Sequence, residues 1–365
     1  NQEKVDDIDL ATNLEPNIVK KVLEKNKINF YETGIEYGTI TAIIKNEKYE
    51  ITSLRSDIST DGRHAKVEFT KDWIKDAERR DFTINAIYSD IDGNLFDPFD
   101  GAKDLKNGKI IFVGNAERRI KEDYLRILRY IRFYISYSKI DHDHNIVKSI
   151  NKNLFGISKI SSDRLISEFK KILKNSNINK LYDDSFLNDT IKLIFPQFKG
   201  LIHFKKLHNL PLQKINELDF IFLLSLLIID ETDNADYFVY KFNISKKDQK
   251  RIYNIKDFYF KNKINKLNQK TLWKIFYKYG KETLFDILRY KFFTSKKVDN
   301  SLNQYLDYFR YKESPVFPIK GEDLMKKFSI PEGKKIGELL KIIENIWIEN
   351  DFKITEEEIK RVVKD

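Results

Sequence analysis

The chain has 365 residues, enough for about two or three domains, and carries 66 Lys plus Arg against 56 Asp plus Glu, a formal charge of +10. A basic surface of this kind suits a polyanionic partner and says nothing about the fold. The absence of cysteine excludes disulfides, thiolate nucleophiles and cysteine-ligated zinc. The apolar run Phe220 to Ile229 falls well short of the ~20 residues needed to cross a bilayer, so it reads as a buried helix.

Near the start, "VDDIDLAT" puts three aspartates into four positions. In a strand Asp7 and Asp9 project from one face, while Asp6 and Ile8 point to the other. Paired carboxylates repel each other unless a cation sits between them, which makes Asp7 and Asp9 a candidate metal site. Exposed turns and helix caps are the plain alternative for such residues. Next, "EPNIVKKVLEKN" has helical periodicity, "YGTITAII" and "KYEITSLR" have the alternating, β-branched pattern of strands, and "DIDGNLFDPFDG" is dense in turn residues. "KIIFV" (Lys109 to Val113) reads as a last strand.

From Ala116 onward nearly every segment has helical spacing, beginning with "ERRIKEDYLRILRYIRFYIS" and continuing through "SSDRLISEFKKILKN" and "LWKIFYKYGKETLFDILRYKFF". No repeat of fixed period and no low-complexity linker interrupts this part; the late proline-bearing break is "SPVFPIKGEDL". The expected organisation is an α+β chain: a mixed α/β head over residues 1–113, a helical neck over 114–178, and a helical body and tail over 179–365, the all-α part elongated.

Three polar stretches are candidates for chemistry: "DGRHAKVEF" between strands, "RRDFTINA" (Arg79 to Ala86), and "EDYLRILRYIRF" (Glu122 to Phe133), which strings an acid and three arginines along one expected helix. "DHDHN" (Asp141 to Asn145) offers a His-Asp pair, but with five histidines in all and no second cluster of fitting spacing it reads as a loop closing the neck. No Gly-rich phosphate loop of the G-x-x-x-x-G-K type is present.

Taken in order, "DDIDLAT", "YEITSLRSDISTDGRHAKVEF", "RRDFTINA", "DPFDGAKDL" and "RIKEDYLRILRYIRF" resemble the head and neck of class II tRNA nucleotidyltransferases, the CCA-adding enzymes, and their bacterial poly(A) polymerase relatives. The likeness includes "ISKISSDRLISEFKKIL", and "PVFPIKGEDLMKKFSIPEGKKIGELL" is similar to the end of the family's tail. The resemblance implies a nucleotidyltransferase-type head followed by neck, body and tail helices, and template-independent addition of CCA to tRNA 3′ ends from CTP and ATP by two-metal transfer. A poly(A) polymerase or A-adding enzyme is the alternative of the same family.

On this reading Asp7 and Asp9 hold Mg²⁺, a cation that prefers hard oxygen ligands. Glu50, on "KYEITSLR", is the candidate third carboxylate. Arg80 matches the family's nucleotide-binding arginine, and a guanidinium fork suits a triphosphate; Arg79 and Asp81 either brace neighbouring residues or reach the ribose. Asp123 and Arg126, three apart, are expected on one helix face. An aspartate only accepts hydrogen bonds and a guanidinium only donates them. Cytosine and adenine present an amino donor beside a ring-nitrogen acceptor, whereas uracil and guanine present the reverse, so this pair selects C and A. Arg129 and Arg132 extend the same pattern to the nucleotide. Steps of three drift about 60° each around a helix, so Arg132 faces almost opposite to Asp123 and must reach round or serve elsewhere.

"STDGRHAKVEF" corresponds to a mobile loop that the family associates with the switch from C to A addition. The family's "GGxVRD" turn, which cradles the triphosphate, has no counterpart here, because only "NQEK" precedes "VDD". The head is therefore expected with its first strand missing, and a non-catalytic tRNA-binding protein is the rival from another class. Cations interleaved with aromatics in "SKKDQKRIYNIKDFYFKNKINKLNQK" suit RNA phosphates and stacking. The expected partners are tRNA, ATP and CTP, with no membrane, in the cytoplasm or alternatively the mitochondrion.

Overall fold

In the computed structural model, residues 8–60, 65–261, 267–296 and 300–364 are described. Asp7 lies outside this set, as does the stretch from Asp61 to His64 in the loop just discussed. The chain divides into two compact units. The first runs to Pro196 and adds Leu210–Glu217 and Lys241–Asn243; the second holds Gln197–Asn209, Leu218–Tyr240 and the chain from Ile244 onward.

The first unit begins with a four-stranded sheet built from β1 (Asp9–Thr12), β2 (Asn29–Gly34), β3 (Thr39–Ile44) and β4 (Glu47–Ser53), in the spatial order β1-β4-β3-β2. β1 pairs parallel with β4, and the rest is antiparallel. The helix α1 (Pro16–Lys25), with proline in its first turn, makes the crossover. Val19 and Leu23, one helical turn apart, pack with Ile40 and Ala42 and cover one face of the sheet. Between β3 and β4 the turn residues Lys45 and Asn46 both have positive φ, 51° and 68°, as a type I′ hairpin demands.

A second hairpin, β5 (Arg55–Thr60) with β6 (Ala65–Phe69), precedes α2 (Trp73–Glu78). The turn-rich stretch forms a short hairpin of β7 (Tyr88–Ser89) and β8 (Leu95–Phe96), followed by α3 (Gly101–Asn107). Lys109 to Val113 does not form the expected strand. It makes a single bridge, Phe82 to Phe112, flanked by bonds from Thr83 N to Ile111 O and from Val113 N to Asp81 O. Its partner coils into a 3₁₀ turn at Thr83–Asn85, which leaves no extended backbone for a longer ladder.

The helices α4 (Ala116–Glu122), α5 (Arg126–Tyr137), α6 (His144–Asn153), α7 (Ser162–Leu173), α8 (Lys180–Asp183), α9 (Ser185–Ile194) and α10 (Leu212–Asn216) belong to the same unit as the sheet. Phe82 packs tilted against Phe112 at 4.5 Å and edge-to-face against Phe133 at 5.3 Å, both with buried rings, so an aromatic core ties the "RRDFTINA" turn to α5. The "DHDHN" stretch is structural: Asp143 caps α6, and His142 stacks on Tyr134 while bonding Tyr130 and Asp184.

The second unit is helical. In α11 (Phe220–Ile228) every residue from Ile221 onward is buried, as an all-round apolar helix is when it lies inside a protein core. α12 (Asn234–Lys241) and α13 (Lys246–Lys256) follow, then α14 (Gln269–Thr294), which kinks at Gly280, where φ of 84° with ψ of 172° is a combination that a residue with Cβ rarely adopts. α15 (Asn300–Arg310), α16 (Gly321–Phe328), α17 (Lys334–Glu349) and α18 (Glu356–Lys364) complete it, with Leu324, Leu339 and Ile343 at the centre of the last cluster. Among the described residues no helix is long and apolar enough to cross a membrane.

Candidate active site

The sheet face opposite α1 carries the carboxylates. β1 and β4 run in register with Asp9 beside Glu50, and Glu50 lies beside Thr41 of β3. Register partners in neighbouring strands project from the same face, so Asp9 and Glu50 are adjacent and both are exposed to solvent. The alternate positions Leu10, Ile51 and Ile40 form the row facing α1. Two hard oxygen donors on an open face fit a divalent cation. Asp7, the other half of the expected pair, lies outside the described residues, and among those described no group of three or more acidic or histidine side chains converges on a metal position.

The arginine turn is organised by a residue that the sequence reading passed over. Asp76, on α2 and 1% exposed, accepts from Arg79 Nε at 2.9 Å, Arg80 Nη2 at 3.1 Å, the Tyr88 hydroxyl at 2.6 Å and the Arg55 backbone N–H at 3.1 Å. Burial opposes its charge, but Arg79, Tyr88 and Arg80 together hold the carboxyl below the usual carboxylate range. Burial and the bond to Asp76 push the Tyr88 hydroxyl up to about 12, so it remains a donor. The signal was present in "DAERR", where Asp76 sits three and four residues before the two arginines, the spacing of neighbours on a helix. Arg80, at 34% exposed, is the more open of the two guanidiniums; Arg79 is at 14%.

Asp81 turns inward. It accepts from Asn85 Nδ2 at 2.8 Å, its neighbour Phe82 N at 3.0 Å and Arg129 Nε at 2.5 Å, joining the arginine turn to α5. Burial raises its pKa, and Arg129 together with Asn85 and Arg126 more than reverses that, leaving it below the ordinary value. Asp76 and Asp81 thus have folded-state pKa values beneath those of the unfolded chain. Their contribution to stability is complete above the ordinary carboxylate value near ~3.9 and is lost as pH falls through the lower folded values. Thermal unfolding followed by circular dichroism should give a midpoint that holds at mildly acidic pH and drops below about pH 4; a midpoint unchanged well below that would contradict the arrangement.

Asp123 and Arg126 are not on one continuous helix. Asp123 has extended backbone, φ −153° and ψ 107°, and separates α4 from α5. Its carboxylate accepts from Leu125 N at 3.1 Å and its carbonyl from Arg126 N at 3.0 Å, a local turn that outcompetes helix continuation. The two side chains stay close in sequence but engage other groups. Asp123 Oδ2 accepts from Arg164 Nη2 of α7 at 2.7 Å, and Arg126 Nη1 donates to Glu122 Oε2 and to the Arg119 carbonyl, both at 2.8 Å. Arg132 is turned toward α7: its Nε donates to buried Glu168 at 2.5 Å, and its guanidinium lies 4.1 Å from the Phe133 ring centroid.

Arg119 is a second residue that the sequence did not disclose. From α4 it donates to the carbonyl oxygens of Arg79 and Arg80 and to Glu122, so the carboxylate that holds Arg126 is linked to the backbone of the arginine turn. Burial, reinforced by the nearby charge of Arg126, lowers its pKa to about 10, and it stays a cation at neutral pH. A polar cleft of about 960 Å³ opens between β5, α2 and α4, with Asp57, Lys75, Arg79, Arg118 and Arg119 in its wall. Asp9, Glu50, Arg80, Asp123 and Arg126 do not line it.

Residues 1–111 match the family of the poly A polymerase head domain, and residues 213–363 match tRNA nucleotidyltransferase domain 2 (putative). The mitochondrial CCA tRNA nucleotidyltransferase 1 of Mus musculus is 35% identical over all of this chain and 83% of its own length. The CCA-adding enzyme of Lactobacillus johnsonii is 30% identical over 96% of this chain and 88% of its own. In fold, the chain is similar to the Bacillus stearothermophilus CCA-adding enzyme in complex with CTP, with a TM-score of 0.72 at 20% identity, covering 99% of this chain and 89% of that one. At 35% identity over its whole length to one such enzyme and 30% over nearly all of it to another, the chain belongs to the CCA-adding tRNA nucleotidyltransferase family.

Proposed function

We propose that this chain adds C, C and A in succession to the 3′ end of tRNA, drawing on CTP and ATP and using no nucleic-acid template. The observation that carries the reading is the likeness along the whole chain, at 35% identity, to a CCA tRNA nucleotidyltransferase. The combination of Asp123 with Arg126 and of Asp9 with Glu50 in one unit supports it. The poly(A) polymerase and non-catalytic readings of the same motifs are not favoured by the relatives' names. The mitochondrial names of the mouse and human relatives support an organellar site of action.

We assign Asp9 and Glu50, with Asp7, as the holders of Mg²⁺, whose oxygen preference they meet. Bound there, divalent ions would activate the RNA 3′-hydroxyl and neutralise the departing pyrophosphate. Arg80, oriented by Asp76, takes the triphosphate through its exposed guanidinium. Asp123 accepts from the amino group of cytosine or adenine, and Arg126 donates to the neighbouring ring nitrogen. Uracil or guanine sets a carbonyl against the carboxylate and an N–H against the guanidinium, leaving buried polar groups unpaired. Arg119 and Glu122 position Arg126, and Asp81 positions Arg129.

A tRNA ending before CCA, incubated with CTP and ATP separately and together, tests the reading. Two additions with CTP alone and three with both are expected; long tails from ATP alone would defeat it. Arg126→Ala should lower the preference for CTP over UTP roughly tenfold to a hundredfold, measured as the ratio of kcat/KM values. An unchanged ratio removes Arg126 from base selection.

A further inference from the structure

Beside the turn that carries Asp123 lies an aromatic surface that base selection leaves unused. Tyr124 follows Asp123 directly, and its ring centroid is 6.0 Å from that of Phe155, tilted by 55°. Lys159 Nζ lies 5.6 Å from the Tyr124 centroid and 6.0 Å from that of Phe155. Phe155 is 66% exposed, although Gly156 and Ile157 after it are buried in the same 3₁₀ segment, Leu154–Lys159. A large ring left two-thirds exposed beside a cation presents an open π face next to a positive charge.

The surface is built to hold its shape. A Cβ at Gly156 would stand 2.0 Å from the Tyr124 ring, so this glycine allows the ring to lie directly on the backbone. The same stretch runs into α7, from which Arg164 grips the Asp123 carboxylate at 2.7 Å. The base-reading carboxylate and the aromatic surface are therefore positioned by one segment, Phe155 to Arg164.

We propose that Phe155, Tyr124 and Lys159 form a stacking site for the unpaired base at the 3′ end of the RNA being extended, with Lys159 taking the adjoining phosphate. The proposal rests on the tRNA-extension reading above. A flat apolar ring paired with a cation complements a nucleotide, which joins a π face to an anion. The end of the RNA changes identity at each addition, and stacking tolerates this because every base has a π face, whereas hydrogen-bond recognition would not.

The test uses the full chain and an RNA acceptor hairpin whose last unpaired nucleotide is 2-aminopurine, titrated without nucleoside triphosphate. The unmodified protein should quench the fluorescence. Phe155→Ala, at an exposed position, should keep the fold by circular dichroism, lose most of the quench and raise the KM for RNA roughly tenfold. Its KM for CTP and its preference for CTP over UTP should hold, and Phe155→Trp should restore the quench. Gly156→Ala, which displaces Tyr124, should weaken the quench as well. No quench by the unmodified protein, a full quench by Phe155→Ala, or a loss of CTP preference with unchanged KM for RNA overturns the site. A protein that quenches yet transfers no nucleotide defeats the functional reading and leaves the stacking site standing; one that transfers normally with Phe155→Ala unaltered does the reverse.

Discussion

Asp76→Ala is expected to destabilise the first unit by about 3–5 kcal/mol, the cost of stripping one partner from a buried charge cluster. The carboxylate is 1% exposed and takes hydrogen bonds from two guanidiniums, a phenol and a backbone N–H. Without it, Arg79 and Arg80 face each other uncompensated, and the Arg55 N–H loses its acceptor inside the protein. Asp76→Asn keeps the volume and one acceptor oxygen but not the charge. It should be less destabilised and should raise the KM for CTP and ATP through a misdirected Arg80. Urea denaturation and steady-state kinetics measure the two effects. A midpoint for Asp76→Ala within error of the parent would show that the cluster is not what holds the arginine turn.

The second large effect is chemical. Asp9→Ala should lower nucleotide transfer by about a thousandfold or more, corresponding to ~4 kcal/mol of lost charge stabilisation at about 1.36 kcal/mol per decade. Stability and RNA binding should change little, because Asp9 is exposed on an edge strand of the sheet. Glu50→Gln, on the neighbouring strand at the same level, should reduce transfer in the same direction while retaining RNA affinity. Single-turnover assays with saturating RNA separate these outcomes from a binding defect. Transfer at the parental rate by Asp9→Ala would remove the sheet face from the chemistry.

Part of this molecule was legible because the relevant physics is local. The period of two along "DDIDLAT" and "KYEITSLR" put Asp9 and Glu50 on strands, and the helical period brought out α1, α7 and the buried α11. The drift of three-residue steps already turned Arg132 away from Asp123, and Arg132 indeed binds Glu168. The strand at Lys109 to Val113 failed for a non-local reason: its apolar pattern is real, but its partner bends away after one bridge.

The sequence by itself determined which side chains are available for the chemistry, which face Asp9 and Glu50 take on their strands, and that the chain has a sheet-bearing head and a helical remainder. Tertiary structure decided what those side chains touch beyond their own turn of chain. The register of Asp9 with Glu50, the grip of Arg164 on the Asp123 carboxylate, and the reach of Arg119 to carbonyls 39 and 40 residues away all depend on chain segments meeting in space. The physical reason is that periodicity encodes direction along one element, whereas a buried ion pair or a strand register is chosen by the packing of several, with every buried charge requiring a partner wherever the fold brings one.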